Sequence, residues 1–278
     1  QLDDALETVA GVPVGADPGA VRGLWWPVVG RGSEAVGRIE LAGQAVERHE
    51  ALPLVAVIPA GSGHQALAAA PLRHPRGIRD VTEWYMSTLS RRDYVYEVFS
   101  RQCDIALANL EKIHAVVGGL VTAIFTTGTD FGTQHGPFIS RDAYRDLYMP
   151  FHRRVNDWMH KNTPWKSFIH SCGSIRPLIE DFIEAGFDIL NPVQCSACNM
   201  DPQQLKDQYG AALTFWGGGV DTQTTLPLGS IEAIERQVRE VVGYSQQDSG
   251  YIFCAIHNIL AEIAPEKVIA LYRAAGSC

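Results

Sequence analysis

From residue 50 onward the chain alternates between short apolar runs of strand length and longer stretches in which apolar positions recur at helical spacing. The runs are LVAVIP (54–59), LVTAIF (120–125), WKSFIH (165–170), FDILNP (187–192), LTFWGG (213–218) and YIFCAIH (251–257). Between them lie amphipathic segments: RRDYVYEVFSRQCDIALANLEKI, SRDAYRDLYMPFHRRVNDWMHK, IRPLIEDFIEAG, DPQQLKDQYG and SIEAIERQVREVV. Ser140, Asp201 followed by Pro202, and Ser230 stand where helix N-caps belong, because a short oxygen-bearing side chain there accepts from an otherwise orphaned N–H. Strands that are apolar almost throughout and alternate with helices imply a parallel sheet covered by helices. Two α/β architectures satisfy this, a closed (β/α)8 barrel and an open doubly wound sheet. No G-x-G-x-x-G turn follows an early strand, and the pattern favours the TIM-type barrel.

Six strands are visible where a barrel needs eight, and the shortfall lies at the start. Residues 1–50 hold a helix-like segment, SEAVGRIELAGQAVERHE, but no clear strand. The expectation is therefore a single barrel domain over residues 1–278, with an irregular or helical 1–50 part and some of the N-terminal barrel region lacking. No tandem repeat, low-complexity tract or interdomain linker interrupts it.

Composition narrows the partners. A formal net charge of −8, with both signs interspersed, offers no basic stripe for phosphates, which argues against nucleic acid and leaves a small molecule or another protein. No apolar stretch reaches the length of a membrane span, and the opening QLDDALETVAG is unlike a signal peptide, so a cytoplasmic location is expected. The six cysteines are too sparse for a disulfide scaffold and are free to act as ligands, nucleophiles or core residues.

His170 and Cys172 stand two apart at the end of a strand, so both side chains point to one face and can aim at one point. In a parallel barrel the carboxyl ends of the strands form the active-site face. The last strand ends in Cys254-Ala-Ile-His257, which neighbouring strand ends can bring toward the same centre. Imidazole and thiolate ligands with an open fourth position are a zinc combination that implies catalysis. The plainer alternative is a core thiol beside a satisfied strand-end histidine. Cys195 and Cys198 form a Cys-x-x-Cys pair in a loop before the cap Asp201, without the second pair of a zinc ribbon and without the helix start of a thioredoxin-like site. Gly217-Gly218-Gly219 before Val220-Asp221 would let backbone approach a ligand, or make a plain turn. Asp130, in TTGTDFGTQHGPF, is a candidate for binding substrate or transferring a proton, or else a turn cap.

The segments HSCGSIRPLIEDFIEAGFDILNPVQ, MDPQQLKDQYG, LTFWGGGVDTQTTLPLGS and HNILAEIAPEKV together resemble the uroporphyrinogen decarboxylase superfamily, over most of the chain from about residue 77 onward. They are most similar to its branch of cobalamin-dependent zinc methyltransferases. The resemblance implies a (β/α)8 barrel with its cleft at the carboxyl ends of the strands, zinc, and a corrinoid carried by a partner protein. It places His170 and Cys172 as ligands, with Cys254 as the third and His257 as the alternative, since His257 falls where that branch has its later cysteine. On this reading His257 and Asp130 are catalytic, and Trp216, Gly217, Gly218, Asp221, Gln194 and Phe131 bind substrate, with Trp216 and Phe131 shaping the pocket. The implied activity moves a methyl group between a corrinoid protein and a small partner, either a thiol or a methoxy or methanol-type donor, in a direction that the residues leave open. A metal-free decarboxylase of a tetrapyrrole is the second reading, and a non-catalytic corrinoid- or tetrapyrrole-binding barrel the third. The arginine and aspartate motifs that true decarboxylases carry near their N-terminus do not occur here, whereas His170-Ser171-Cys172-Gly173 does.

Overall fold

In a computed structural model of the chain, residues 55–56, 81–118, 121–245 and 250–276 are described. Six parallel strands lie side by side in chain order: β1 (Val55–Ala56), β2 (Ala123–Thr127), β3 (Lys166–His170), β4 (Ile189–Asn191), β5 (Thr214–Trp216) and β6 (Tyr251–Ile252). An order that never reverses is that of a barrel wall, whereas a doubly wound sheet turns back at a switch point. The fold is that of the (β/α)8 barrel. The helix-like segment expected within residues 1–50, and all of LVAVIP except Val55 and Ala56, lie outside the described residues.

Helices α1 (Val81–Ser90) and α2 (Arg92–Val117) separate β1 from β2, and α3 (Arg141–Leu147) and α4 (Met149–Asn162) separate β2 from β3. After β3 come a 3-10 turn at Arg176–Leu178 and α5 (Ile179–Glu184), then α6 (Pro202–Tyr209) after β4. Helices α7 (Thr225–Leu228) and α8 (Ile231–Ser245) follow β5, and α9 (Pro265–Gly276) follows β6. The amphipathic segment from 140 to 161 reads as one helix in sequence but divides at Tyr148, because Pro150 has no N–H to donate and opens a new first turn. The caps behave as expected: Ser140 Oγ accepts from the Ala143 N–H at 3.1 Å, and Asp201 Oδ1 from the Gln204 N–H at 2.8 Å.

Strand alternation sorts side chains into two layers. Ala123, Phe168, Ile189, Trp216 and Cys254 pack on the inner face, while Ile124, Ile169, Leu190 and Phe215 face the helices. His170 follows Phe168 by two and Asn191 follows Ile189 by two, and the two are register partners, so both belong to the inner face at its carboxyl end. The LVTAIF strand sits further along than its apolar run suggests, because the hydroxyls of the buried Thr126 and Thr127 find partners in Ser167 (2.8 Å) and Thr129 (3.2 Å).

His152 on α4 is completely buried among Tyr144, Tyr148, Phe131 and Phe187, and burial pulls its imidazole down to about 3. The unfolded chain binds a proton there near pH 6.5 and the folded one does not, so stability rises with pH across that window. The stabilisation is fully present above pH 6.5 and is lost progressively as pH falls toward about 3, by an amount on the order of 5 kcal/mol. Urea midpoints measured from pH 7 down to pH 4 should decline, and His152→Gln should flatten that decline if Tyr144 accepts the amide in place of the ring.

Candidate metal centre

The centre begins with two loops whose backbones touch. Gly173, in the turn after β3, has φ of +87°, and a Cβ there would lie 2.4 Å from the carbonyl carbon of Gly132 in the loop after β2. Only two glycines allow that approach. The loops are stitched by the Phe131 N–H donating to Ser171 Oγ (2.9 Å) and the Ser174 N–H donating to the Thr133 carbonyl (2.7 Å). The Gly173 N–H donates to Gln194 Oε1 at 2.7 Å, which adds the loop after β4.

This stitching carries Asp130 to the His170–Cys172 pair. One ligand atom from each of the three lies within 4.8 Å of the others. The Cys172 Sγ to His170 Nε2 distance is 3.4 Å, the His170 Nε2 to Asp130 Oδ1 distance is 3.8 Å, and the Cys172 N–H donates to Asp130 Oδ1 at 2.8 Å. No other such group of three occurs among the described residues.

Asn191 determines which ring nitrogen faces the cluster. Its Nδ2 donates to the Trp216 carbonyl at 2.8 Å, which turns Oδ1 toward His170 Nδ1 at 2.7 Å. A carbonyl oxygen there accepts, so Nδ1 carries the hydrogen and Nε2 presents its lone pair to Cys172 and Asp130. A ligating histidine is normally held this way by its second nitrogen. For a metal held by this cluster, Asn191→Leu should lower affinity by roughly 10- to 100-fold, measured with added zinc by competition against a chromophoric chelator. An unchanged affinity would show that the amide has no hold on the ring.

Burial and then the Asp130 charge push the Cys172 thiol up to about 12. In that environment the sulfur stays protonated at neutral pH unless a cation is present, and a cation reverses the local preference. Imidazole nitrogen, thiol sulfur and carboxylate oxygen together make a donor set that zinc takes, with a fourth position left for a reactant.

The other expected site residues fall in different places. Cys254 stands outside the cluster: it is buried against Gly217, packs with Phe168, Ile189 and Trp216, and its thiol donates to the Ala255 carbonyl at 3.1 Å. His257 is exposed and shares with Cys172 and Gln194 a cavity of ≈ 470 Å³, walled by Leu226, Ile256 and Ile259. Phe131 does not line that cavity; it is 0% exposed and meets Tyr144, Tyr148 and Phe182 in the helix-side core. Trp216 is likewise 4% exposed, set edge-on to Phe168 on the inner face, and serves the centre through its carbonyl. Gly217 and Gly218 are close to chain rather than to open space, since a Cβ would come within 3.0 Å of Cys254 Sγ and 2.6 Å of the Val193 carbonyl respectively. Both Asp221 oxygens are used in its own turn, with Oδ1 accepting from the Gln223 N–H at 2.7 Å and Oδ2 from the Thr224 hydroxyl at 2.6 Å.

Asn191 carried no signal of its own beyond its place two residues after Ile189 on the inner face. Asp130 was recognisable as reactive, but nothing in a loop 40 residues from His170 marks it as a neighbour.

A parallel α/β barrel with polar, metal-capable side chains gathered at the carboxyl ends of its strands defines a barrel enzyme. The chain belongs to the uroporphyrinogen decarboxylase (URO-D) family, whose model matches residues 60–277. Among solved structures it is similar to a methyltransferase from Methanosarcina mazei, at 14% sequence identity and a TM-score of 0.53. That likeness covers 71% of this chain and 53% of the other, so the chain spans about half the length of that neighbour, and at this identity it speaks to the fold alone. No curated protein sequence matches the chain. No helix among the described residues is long and apolar enough to cross a membrane.

Proposed function

We propose that the protein is a zinc-dependent methyltransferase that moves a methyl group between a corrinoid protein and a small donor or acceptor. The observation that carries this reading is the convergence of Asp130, His170 and Cys172 within 4.8 Å at the mouth of the sheet. These three would hold the zinc, and Asp130, read from sequence as catalytic, takes the place in the ligand set that Cys254 was expected to fill. The bound metal would supply Lewis acidity, either lowering the pKa of an incoming thiol or polarising a methoxy or hydroxyl oxygen. The methyltransferase name of the structural neighbour agrees with it.

The chain's own residues then have separable tasks. Asn191 keeps the His170 lone pair aimed inward, and the Cys172 N–H fixes Asp130 Oδ1, the oxygen that stands 3.8 Å from His170 Nε2. Leu226, Ile256 and Ile259 give the cavity that Cys172 lines an apolar wall, which strengthens electrostatic effects along it. His257, on the same cavity, is placed to deliver or remove the proton of the oxygen or sulfur that exchanges the methyl group.

Elemental analysis of the intact protein, followed by methyl exchange with a methylated or reduced corrinoid protein, tests the reading. One zinc per chain and exchange that stops on chelation are expected. A zinc-free protein that turns over uroporphyrinogen would replace the proposal with decarboxylation.

A further inference from the structure

The Cys-x-x-Cys pair has no part in the centre described above, yet it lies beside it. Cys198 is exposed, Cys195 is partly buried, and Cys198 Sγ stands 3.7 Å from Nδ1 of His135. The Ala197 N–H donates to the Gln194 carbonyl (2.9 Å) and the Met200 N–H to the Ala197 carbonyl (3.3 Å). Cys195 lies in the first of these turns and Cys198 in the second, so the chain bends at Ala197 between them, the folding-back that a bridge between residues three apart requires.

We propose that Cys195 and Cys198 form a peroxide-responsive dithiol that closes into a disulfide within this loop, with Cys198 as the attacking sulfur and His135 as its base. The division of roles follows from position. Cys198 is open to solvent and touches an imidazole, so peroxide reaches it first, whereas Cys195 is the more enclosed of the two and is left the second step.

In the first step the Cys198 proton passes to His135 Nδ1 and the sulfur attacks one peroxide oxygen. The S–O bond forms, the O–O bond breaks, and the departing hydroxide recovers the proton as water, leaving a sulfenic acid. In the second, the Cys195 sulfur attacks Cys198 Sγ, the S–S bond forms, the S–O bond breaks, and hydroxide leaves with the Cys195 proton as a second water. Two thiols are oxidised and one hydrogen peroxide is reduced. The loop is tied to both ligand-bearing turns, because the Cys198 N–H donates to the Gln134 carbonyl (2.9 Å) and its carbonyl accepts from Ser174 Oγ (2.7 Å). Closure of the bridge therefore acts on the segments that hold Asp130 and Cys172.

The test is brief exposure of the full chain to hydrogen peroxide, then denaturation, alkylation and mass-spectrometric mapping. Cys195 and Cys198 should lose alkylation together, their peptide should be lighter by two hydrogens, and a dithiol reductant should restore both, with Cys103, Cys172 and Cys254 still alkylated. Cys198→Ser should leave Cys195 alkylated, and His135→Ala should slow the loss of the Cys198 thiol about tenfold. Failure of either thiol to react, Cys198 driven to sulfinic acid beside an intact Cys195 thiol, or a bridge from either residue to Cys172 would overturn the proposal. An unchanged rate in His135→Ala would remove the imidazole from it.

Discussion

On the proposed function, replacing Cys172 with serine should abolish zinc binding at micromolar protein concentration and lower methyl exchange by more than about 100-fold, with little change in the thermal stability of the zinc-free protein. The expected loss is large because the sulfur is the soft member of a set of three, and a hydroxyl in the same place is a far weaker donor. His170→Ala should do the same, since it deletes the Nε2 lone pair that Asn191 turns toward the cluster. Asp130→Asn should cost less, because the amide oxygen can still accept the Cys172 N–H. Zinc content by elemental analysis and circular dichroism on the same samples check the pattern. Full zinc occupancy in both Cys172→Ser and His170→Ala would put the metal elsewhere and end the proposal.

Phe131→Ala should destabilise the protein by about 3–5 kcal/mol, the range for deleting a fully buried aromatic ring. Its ring meets Tyr144 at 5.3 Å and Tyr148 at 5.0 Å between centroids, both nearly edge-on, and Phe182 at 5.8 Å, so a void there has rigid walls and collapses poorly. Phe131 also adjoins Asp130 in sequence, and its N–H is one of the stitches to Ser171. Loss of the ring should therefore loosen the Asp130 loop and lower zinc affinity as well, a double effect that a pocket-lining residue would not show. Phe131→Leu should retain most of the stability, because it keeps most of the apolar volume. Denaturant unfolding with zinc titration on both variants decides it. A Phe131→Ala protein as stable as the parent would place the ring outside the core.

The different fates of Phe131 and His170 show what could be read from one dimension. His170 closes a run, WKSFIH, whose alternation assigns each side chain to a face, so its inward aim and its pairing in direction with Cys172 follow from the pleat. Phe131 lies in a loop with no such period, and aromatic residues beside an acidic group are equally consistent with a pocket or a core. Cys254 misled for a related reason. It is on the inner face, as its alternation with Ile252 suggests, but its sulfur is buried against Gly217 and bonded to the Ala255 carbonyl, outside the cluster. Alternation gives a face and does not say which neighbour a side chain's tip will meet.

The sequence alone determined the alternation of strands and helices, the parallel sheet, the helix caps and the placing of His170 and Cys172 at a strand's carboxyl end. Each depends on hydrophobic period, on local hydrogen bonding or on neighbours a few residues away. Only the tertiary structure decided that Asp130 completes the cluster, that Asn191 sets the histidine's tautomer and that Phe131 belongs to the core. Those relations join residues tens of positions apart through strand register and the contact of two glycine turns, and such distances are fixed by packing in three dimensions.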